Sequence, residues 1–255
     1  MSQNSSKNTR KLPWRTWILV AALPAWVFVS LFVAQLLLSG LVALLEVAGV
    51  STASVNNSVF TAGFAAVLYT LTLLIAIGVP YIVKKRRVTL QELGLQRWLS
   101  WSDIGMAPVG LVVYFVLTSI LAFLATMFLP GFDIAEPQDT GFGEFSMRYE
   151  YIIAFVTLVI VAPIAEEVLV RGYLFGKLRK YVPLWAAVLV TSLLFGFVHG
   201  AWNVAIDTFA LSVVLCILRV TTGSLWAPIL LHMIKNGIAF YLLFINPLIL
   251  NTLGG

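Results

Sequence analysis

Charge is what this sequence has least of. Of its 255 residues only 11% are charged, against 60% hydrophobic, and the mean hydropathy is +0.98. A water-soluble globular chain carries about 25% charged and about 45–50% apolar residues, so the polar residues here are too few to cover a soluble surface. The chain is read as an integral membrane protein. Cysteine is nearly missing too: its one copy, Cys216, lies in an apolar run, which excludes an intramolecular disulfide and a cysteine-rich metal cluster. There is no Gly-x-Ser-x-Gly and no His-Glu-x-x-His, which removes the nucleophile-elbow hydrolases and the usual zincins. No internal repeat is found, and so no hint of an inverted-repeat transporter. The only aspartate inside a predicted span is Asp207, which excludes an aspartyl dyad. The formal charge of +5 is read through the position of the charges relative to the spans, not as a sign of a nucleic-acid partner.

What remains is long apolar runs. A hydrocarbon core about 30 Å thick takes roughly 20 apolar residues per helix, so the chain admits seven or eight spans: an all-α, polytopic transmembrane helix bundle in one compact body. Spans are predicted near 16–46, 58–83, 104–130, 151–171, 183–200, 203–219 and 225–249, with an eighth if the last run breaks at Pro247. The first follows Lys7, Arg10, Lys11 and Arg15, overshoots the bilayer, and is read as a retained anchor that tilts, kinks at Pro24 or begins at the interface. Basic residues recur at Lys84, Lys85, Arg86, Arg87 and Arg97, at Arg171, Lys177, Arg179 and Lys180, and at Arg219. These are alternate loops, so positive-inside logic puts the N-terminus in the cytoplasm of a cell-membrane protein. Asp133, Glu136, Asp139, Glu144 and Glu150 fall in the opposite, outer loop. Trp14, Trp17, Trp98, Trp101, Trp185, Trp202 and Trp226 lie near span ends, as an aromatic belt requires. Leu90 to Leu99 reads as a short interfacial helix. Residues 1–150 are expected to supply anchoring helices and loops, and residues 151–255 the chemistry.

Ionisable groups at bilayer depth cost several kcal/mol unless paired or hydrated, and this chain concentrates them in its second half. They are Glu166, Glu167, Arg171, His199, Asp207, His232 and Lys235, with Asn236 beside them. Both histidines of the chain are in the set. Glu167 and Arg171 are four apart on a helix, the acid first, and can pair on one face. Glu166 points about 100° away, free to act as a general base; the alternative is that both acids merely pair with Arg171 and Lys235. His232 and Asn236 also share a face and can donate to an oxyanion, or simply join two helices. His199 is either a satisfied core residue or a catalyst. If the helices around residues 166 and 199 form an antiparallel hairpin turning at Val182–Pro183, Glu166 and His199 lie level. With the fourth span ending near Arg171, Glu166 and His232 sit about 10 Å deep. Counting from Pro183 instead puts His199 too far toward the outer side, unless the fifth helix starts outside the hydrocarbon or the site lies deeper.

Glu-Glu-x-x-x-Arg, Phe-x-x-x-His and His-x-x-x-Asn on successive helices, within residues 163–236, resemble the CPBP (CAAX protease and bacteriocin-processing, or Abi) intramembrane proteases, relatives of the type II CAAX prenyl endopeptidases. The resemblance implies a membrane endopeptidase. Glu166 and His199 would activate water, His232 and Asn236 would stabilise the oxyanion, and Glu167 and Arg171 would support them. The implied partners are a peptide or lipidated protein substrate and membrane lipids. The family is often labelled metallo-, and zinc would take Glu166, His199 and His232 together. That consumes both the base and an oxyanion donor, so a metal-free mechanism without cofactor is expected, with zinc as the alternative. Lys235 and Asp207 lie outside the family pattern, and Asp207 is expected to neutralise Lys235. The rival reading is a non-catalytic immunity or scaffold protein of the membrane.

Overall fold

The computed structural model describes residues 14–248 except 53, 54, 86, 135, 137–139 and 144, and not the side chains of 15–17. Lys7, Arg10, Lys11, Arg86, Asp139, Glu144 and the side chains of Arg15 and Trp17 therefore lie outside the described residues. Among those described there is no strand. Among the described residues, seven apolar helices follow one another, six of them long enough to cross a membrane. The chain is an integral, multi-pass helical membrane protein.

Helix α1 (Trp14–Val47) is 34 residues long with Pro24 inside it. At 1.5 Å per residue it rises about 51 Å, well beyond the hydrocarbon thickness. Helix α2 (Asn57–Lys84) starts where the Asn56 side chain accepts from the N–H groups of Ser58 and Val59. It stops at Lys85, the one non-glycine residue with positive φ among those described. Pro80 in α2 and Pro163 further on each follow a widened, π-type turn (Leu74–Gly78 and Val156–Val161), which accommodates a residue with no N–H to donate. Helix α3 (Leu90–Leu93) closes a capping box between Thr89 and Glu92 and ends at Gly94, so the predicted interfacial helix is only its first turn. Helix α4 (Trp101–Phe128) repeats the device with Ser100 and Asp103. Arg97 pairs with Asp103 at 2.5 Å, and this hydrogen-bonded partner raises the Arg97 pKa above its ordinary value.

Helix α5 (Arg148–Leu178) corrects the expected end of the fourth span. It runs seven residues past Arg171, whose side chain is fully buried instead of marking a loop. The charge does not end the helix because it finds its counter-charge one turn earlier. Helix α6 (Leu184–Phe197) has 14 residues and rises about 21 Å, short of the roughly 30 Å core. His199 consequently sits beyond the helix end, in a turn closed by Gly200 at φ +79°. Helix α7 (Trp202–Thr221) is central and packs on α4, α6 and α8 (Trp226–Ile245), burying Ala210, Leu211 and Leu215 completely.

The charges sort by end. At one end Lys180 pairs with Glu92 at 2.9 Å, the Leu225 N–H donates to Gly94 O at 2.8 Å, and the Trp226 indole N–H donates to Arg97 O at 2.9 Å. At the other, Glu150 accepts from Asn56 at 2.7 Å, and Asn203 donates to Glu136 O at 2.8 Å. The basic stretches thus gather on one end and the described part of the 131–150 loop on the opposite one, as the spacing of charges along the sequence requires.

Gly196 is where α6 approaches α7 most closely: a Cβ there would lie 2.7 Å from Ala205 O, a backbone atom that cannot swing aside. Gly196→Ala is expected to destabilise the protein by about 1–3 kcal/mol through overpacking. Gly63→Ala, which meets nothing within 4 Å, should raise the thermal midpoint in detergent slightly, because alanine is the better helix former.

Candidate active site

The site forms where α5, α8 and α2 face one another, with the α6 end beside them. Its foundation is Glu167, whose side chain is fully buried. Glu167 Oε1 accepts from Arg171 Nη1 at 2.9 Å, one helical turn along α5, and from His232 Nδ1 of α8 at 2.8 Å. One carboxylate oxygen therefore joins two helices. A carboxylate only accepts, so Nδ1 of His232 carries a proton, and its Nε2 is turned to the other side. There it meets Glu166 Oε2 at 3.8 Å.

Glu166 is the less buried of the two acids, its side chain 21% exposed, as its angular offset from Glu167 requires. Its Oε1 accepts from Tyr69 Oη of α2 at 2.6 Å. Tyr69 went unnoticed in the sequence, where a tyrosine inside an apolar run carries no chemical signal; only the packing of α2 on α5 brings it here. Asn236, one turn beyond His232, donates through Nδ2 to Leu158 O of α5 at 2.9 Å. An amide nitrogen has two protons, so one remains for another acceptor.

His199 is engaged through Nδ1 with Phe195 O at 2.6 Å. A carbonyl also only accepts, so this nitrogen is the donor and Nε2 points away from that contact. The Phe195 ring is shared by three residues of the cluster: its centroid lies 4.9 Å from that of His199, 6.0 Å from that of His232, and 4.2 Å from the Arg171 guanidinium carbon. The structure thus brings Glu166, Glu167, Arg171 and His232 into direct contact, with Asn236 on the same face of α8 as His232 and His199 linked to His232 through Phe195.

Two sequence expectations gain geometry. Lys235 pairs with Asp207 at 3.0 Å, not with Glu166 or Glu167, and Asp207 also accepts from Tyr114 and from Thr118. The depth conflict is resolved by the helix ends. Glu166 lies twelve residues from the end of α5, about 18 Å, which is deeper than the expected 10 Å and closer to the level of His199 at the end of the short α6.

Zinc would need Glu166, His199 and His232 to converge. His232 and His199 each donate from Nδ1 to a protein acceptor, which leaves Nε2 as the ring position either could offer it. Among the described residues no group of three or more His, Cys, Asp or Glu side chains is disposed to hold a metal ion. As arranged, the three side chains do not converge on one point. Beside His199, a cavity of about 1070 Å³ opens between α1, α4, α6 and α7, walled by Leu121, Phe128, Leu193, Phe197, Trp202 and Phe209 among other mostly apolar residues.

Fold and site together define a polytopic helical membrane protein with a buried Glu/Arg/His cluster at its centre. Residues 148–238, which hold every member of that cluster except Tyr69, match the family described as Type II CAAX prenyl endopeptidase Rce1-like, so the resemblance read from the three motifs stands. Among curated proteins, the chain is 27% identical over 158 residues to the membrane-embedded CAAX protease MroQ of Staphylococcus aureus, covering 58% of this chain and 60% of that one. It is 32% identical over 77 residues to the putative membrane peptidase YdiL of Bacillus subtilis (30% and 32%) and 33% identical over 89 residues to an uncharacterized 24.3 kDa protein of Escherichia coli (33% and 41%). The matches span between about a third and three fifths of the length of these relatives. No solved structure matches.

Arg171→Met leaves Glu167 buried with one partner fewer and is expected to cost about 3–5 kcal/mol. Glu167→Gln combined with Arg171→Met should cost less than the sum of the two single changes, because neither charge is then stranded. Thermal unfolding of the four variants in a double-mutant cycle reads this directly.

Proposed function

We propose that the protein is an intramembrane endopeptidase that hydrolyses a peptide bond near the C-terminus of a membrane-associated or prenylated, CAAX-like protein or peptide. One observation carries the reading: the half-buried Glu166 carboxylate is held by Tyr69 and faces His232 Nε2, beside a fully buried Glu167–Arg171 pair that cannot itself reach solvent. The relatives named as a CAAX protease and a membrane peptidase support the substrate class. The apolar cavity beside His199 supports a lipid-bearing substrate.

In this mechanism Glu166 takes a proton from water, with His199 Nε2 as a second basic group, and the hydroxide attacks the scissile carbonyl carbon. The oxyanion accepts from His232 Nε2, protonated and stabilised as a cation by Glu167 behind it, and from the second Nδ2 proton of Asn236. The C–N bond breaks as Glu166 returns its proton to the leaving amine. Tyr69 orients Glu166. The steps need no metal. By the positive-inside rule the basic end faces the cytoplasm of the cell membrane, so a substrate presenting a terminal carboxylate would meet it first.

Mass spectrometry of prenylated and unprenylated peptides incubated with the purified protein tests this. Glu166→Gln is expected to lower the cleavage rate by about 10²–10⁴-fold, the usual worth of a general base. Tyr69→Phe should lower kcat by about tenfold or more, the weight of a hydrogen bond to a charged group, and add little on top of Glu166→Gln. Cleavage that persists in Glu166→Gln would overturn the mechanism, and no cleavage by folded wild type would favour a non-catalytic immunity or scaffold role. Metal analysis should find no stoichiometric zinc; zinc that departs in His199→Ala would restore the metal alternative.

A further inference from the structure

A second buried cation lies far from the candidate active site. Arg219, in the last turn of α7, is 2% exposed. It makes no hydrogen bond or ion pair to any described residue, and its Nε is buried without a partner. Its charged neighbour is another cation, Arg179, at the exposed end of α5. A lone buried guanidinium costs several kcal/mol, and a like charge beside it raises that cost. The C-terminal carbonyls of α7 offset up to about 2 kcal/mol of it, which leaves part of the cost uncompensated.

The surroundings are built around this side chain. Gly94, held at φ +84°, lets the guanidinium lie against its backbone; a Cβ there would come within 2.4 Å of Arg219 Cζ. The Leu225 N–H to Gly94 O bond and the Gln96 side chain on Gly223 O, at 3.1 Å, lock the two loops that frame it. The same loops carry an aromatic girdle. Trp98 and Trp101 are 85% and 86% exposed, and Trp98 stacks on Trp226 at 6.4 Å, the arrangement of residues at headgroup level. Lys84, Lys85, Arg87 and Lys180 lie at this end.

We propose that Arg219, with the neighbouring exposed Arg179, is a structural anion site that takes the phosphate of an anionic phospholipid headgroup. A phosphodiester supplies the acceptor oxygens that a guanidinium fork matches, and bilayer depth presents lipid phosphate at the level of the tryptophans. The net negative headgroup follows from the basic rim, which a zwitterionic lipid would not neutralise.

Native mass spectrometry of the full-length protein, titrated separately with phosphatidylglycerol, with phosphatidylcholine of the same acyl chains and with inorganic phosphate, tests it. Wild type should retain phosphatidylglycerol in preference to the other two. Arg219→Gln should lower that retention by about tenfold or more, the loss of one charge-assisted hydrogen bond. Arg179→Gln, an exposed change that leaves the fold intact, should lower it by a smaller factor, and Lys85→Gln on the same rim should not. Equal retention in wild type and Arg179→Gln overturns the proposal, as does equal retention of the two lipids. Inorganic phosphate binding as well as phosphatidylglycerol would identify a free-anion site and overturn the lipid assignment.

Discussion

The Glu167 carboxylate oxygen shared by Arg171 and His232 is the contact on which the rest of the centre depends. In a low-dielectric interior a carboxylate and a guanidinium persist as charges only when paired, and Arg171 provides that partner from within the same helix. With its charge fixed, Glu167 can hold the imidazole of a different helix by its Nδ1 proton, which fixes the ring's orientation and turns Nε2 toward Glu166. Adjacent acids one residue apart thus receive opposite tasks from the helix geometry alone. One faces inward and is consumed by structure; the other, about 100° around the helix, is held by Tyr69 and stays partly open.

The Asp207–Lys235 pair is satisfied in the same way, and the contacts around it tie helices together. Asp207 and Lys235 join α7 to α8 and recruit Tyr114 and Thr118 of α4. Tyr69 joins α2 to α5, so the anchoring part of the chain and the part that carries the motifs meet at the carboxylate itself. In hydrocarbon, where apolar packing between helices has little driving force, such polar contacts set register as much as stability. Asn236 shows the point: its bond to Leu158 O fixes how far α8 slides along α5, and with it the height of His232 against Glu166.

The spans, their order and the polar cluster were legible because lipid excludes charge: a glutamate in an apolar run stands out against a nearly charge-free background. The Glu167–Arg171 pair followed from the four-residue spacing. What was not legible depended on contacts between distant segments or on helix ends. Tyr69 looked like any interfacial or core tyrosine until α2 was packed on α5. Arg171 looked like the edge of a span because a basic residue after an apolar run usually is one; only its burial beside Glu167 shows that the helix goes on to Leu178. The place of His199 depended on α6 stopping at Phe197, and hydropathy alone gives no reason to end a helix inside an apolar run.

Stability does not explain Arg171. Its Nε and Nη2 and the Oε2 of Glu167 are buried with no hydrogen-bond partner, so the pair is not optimised for folding, and an apolar pair of similar volume would commonly be as stable or more so. What an apolar pair could not do is hold an ionised carboxylate against His232. Removing the charge of Glu167 would leave the imidazole free to reorient and would strip the counter-ion from any cation formed there. The unused donors and their cost thus accompany a pair that contacts the His232 imidazole. The Phe195 ring, which stacks over the guanidinium and touches both imidazoles, offsets part of that cost by a cation–π contact of about 0.5–2 kcal/mol. The buried ring also fills the space between the guanidinium and the two imidazoles.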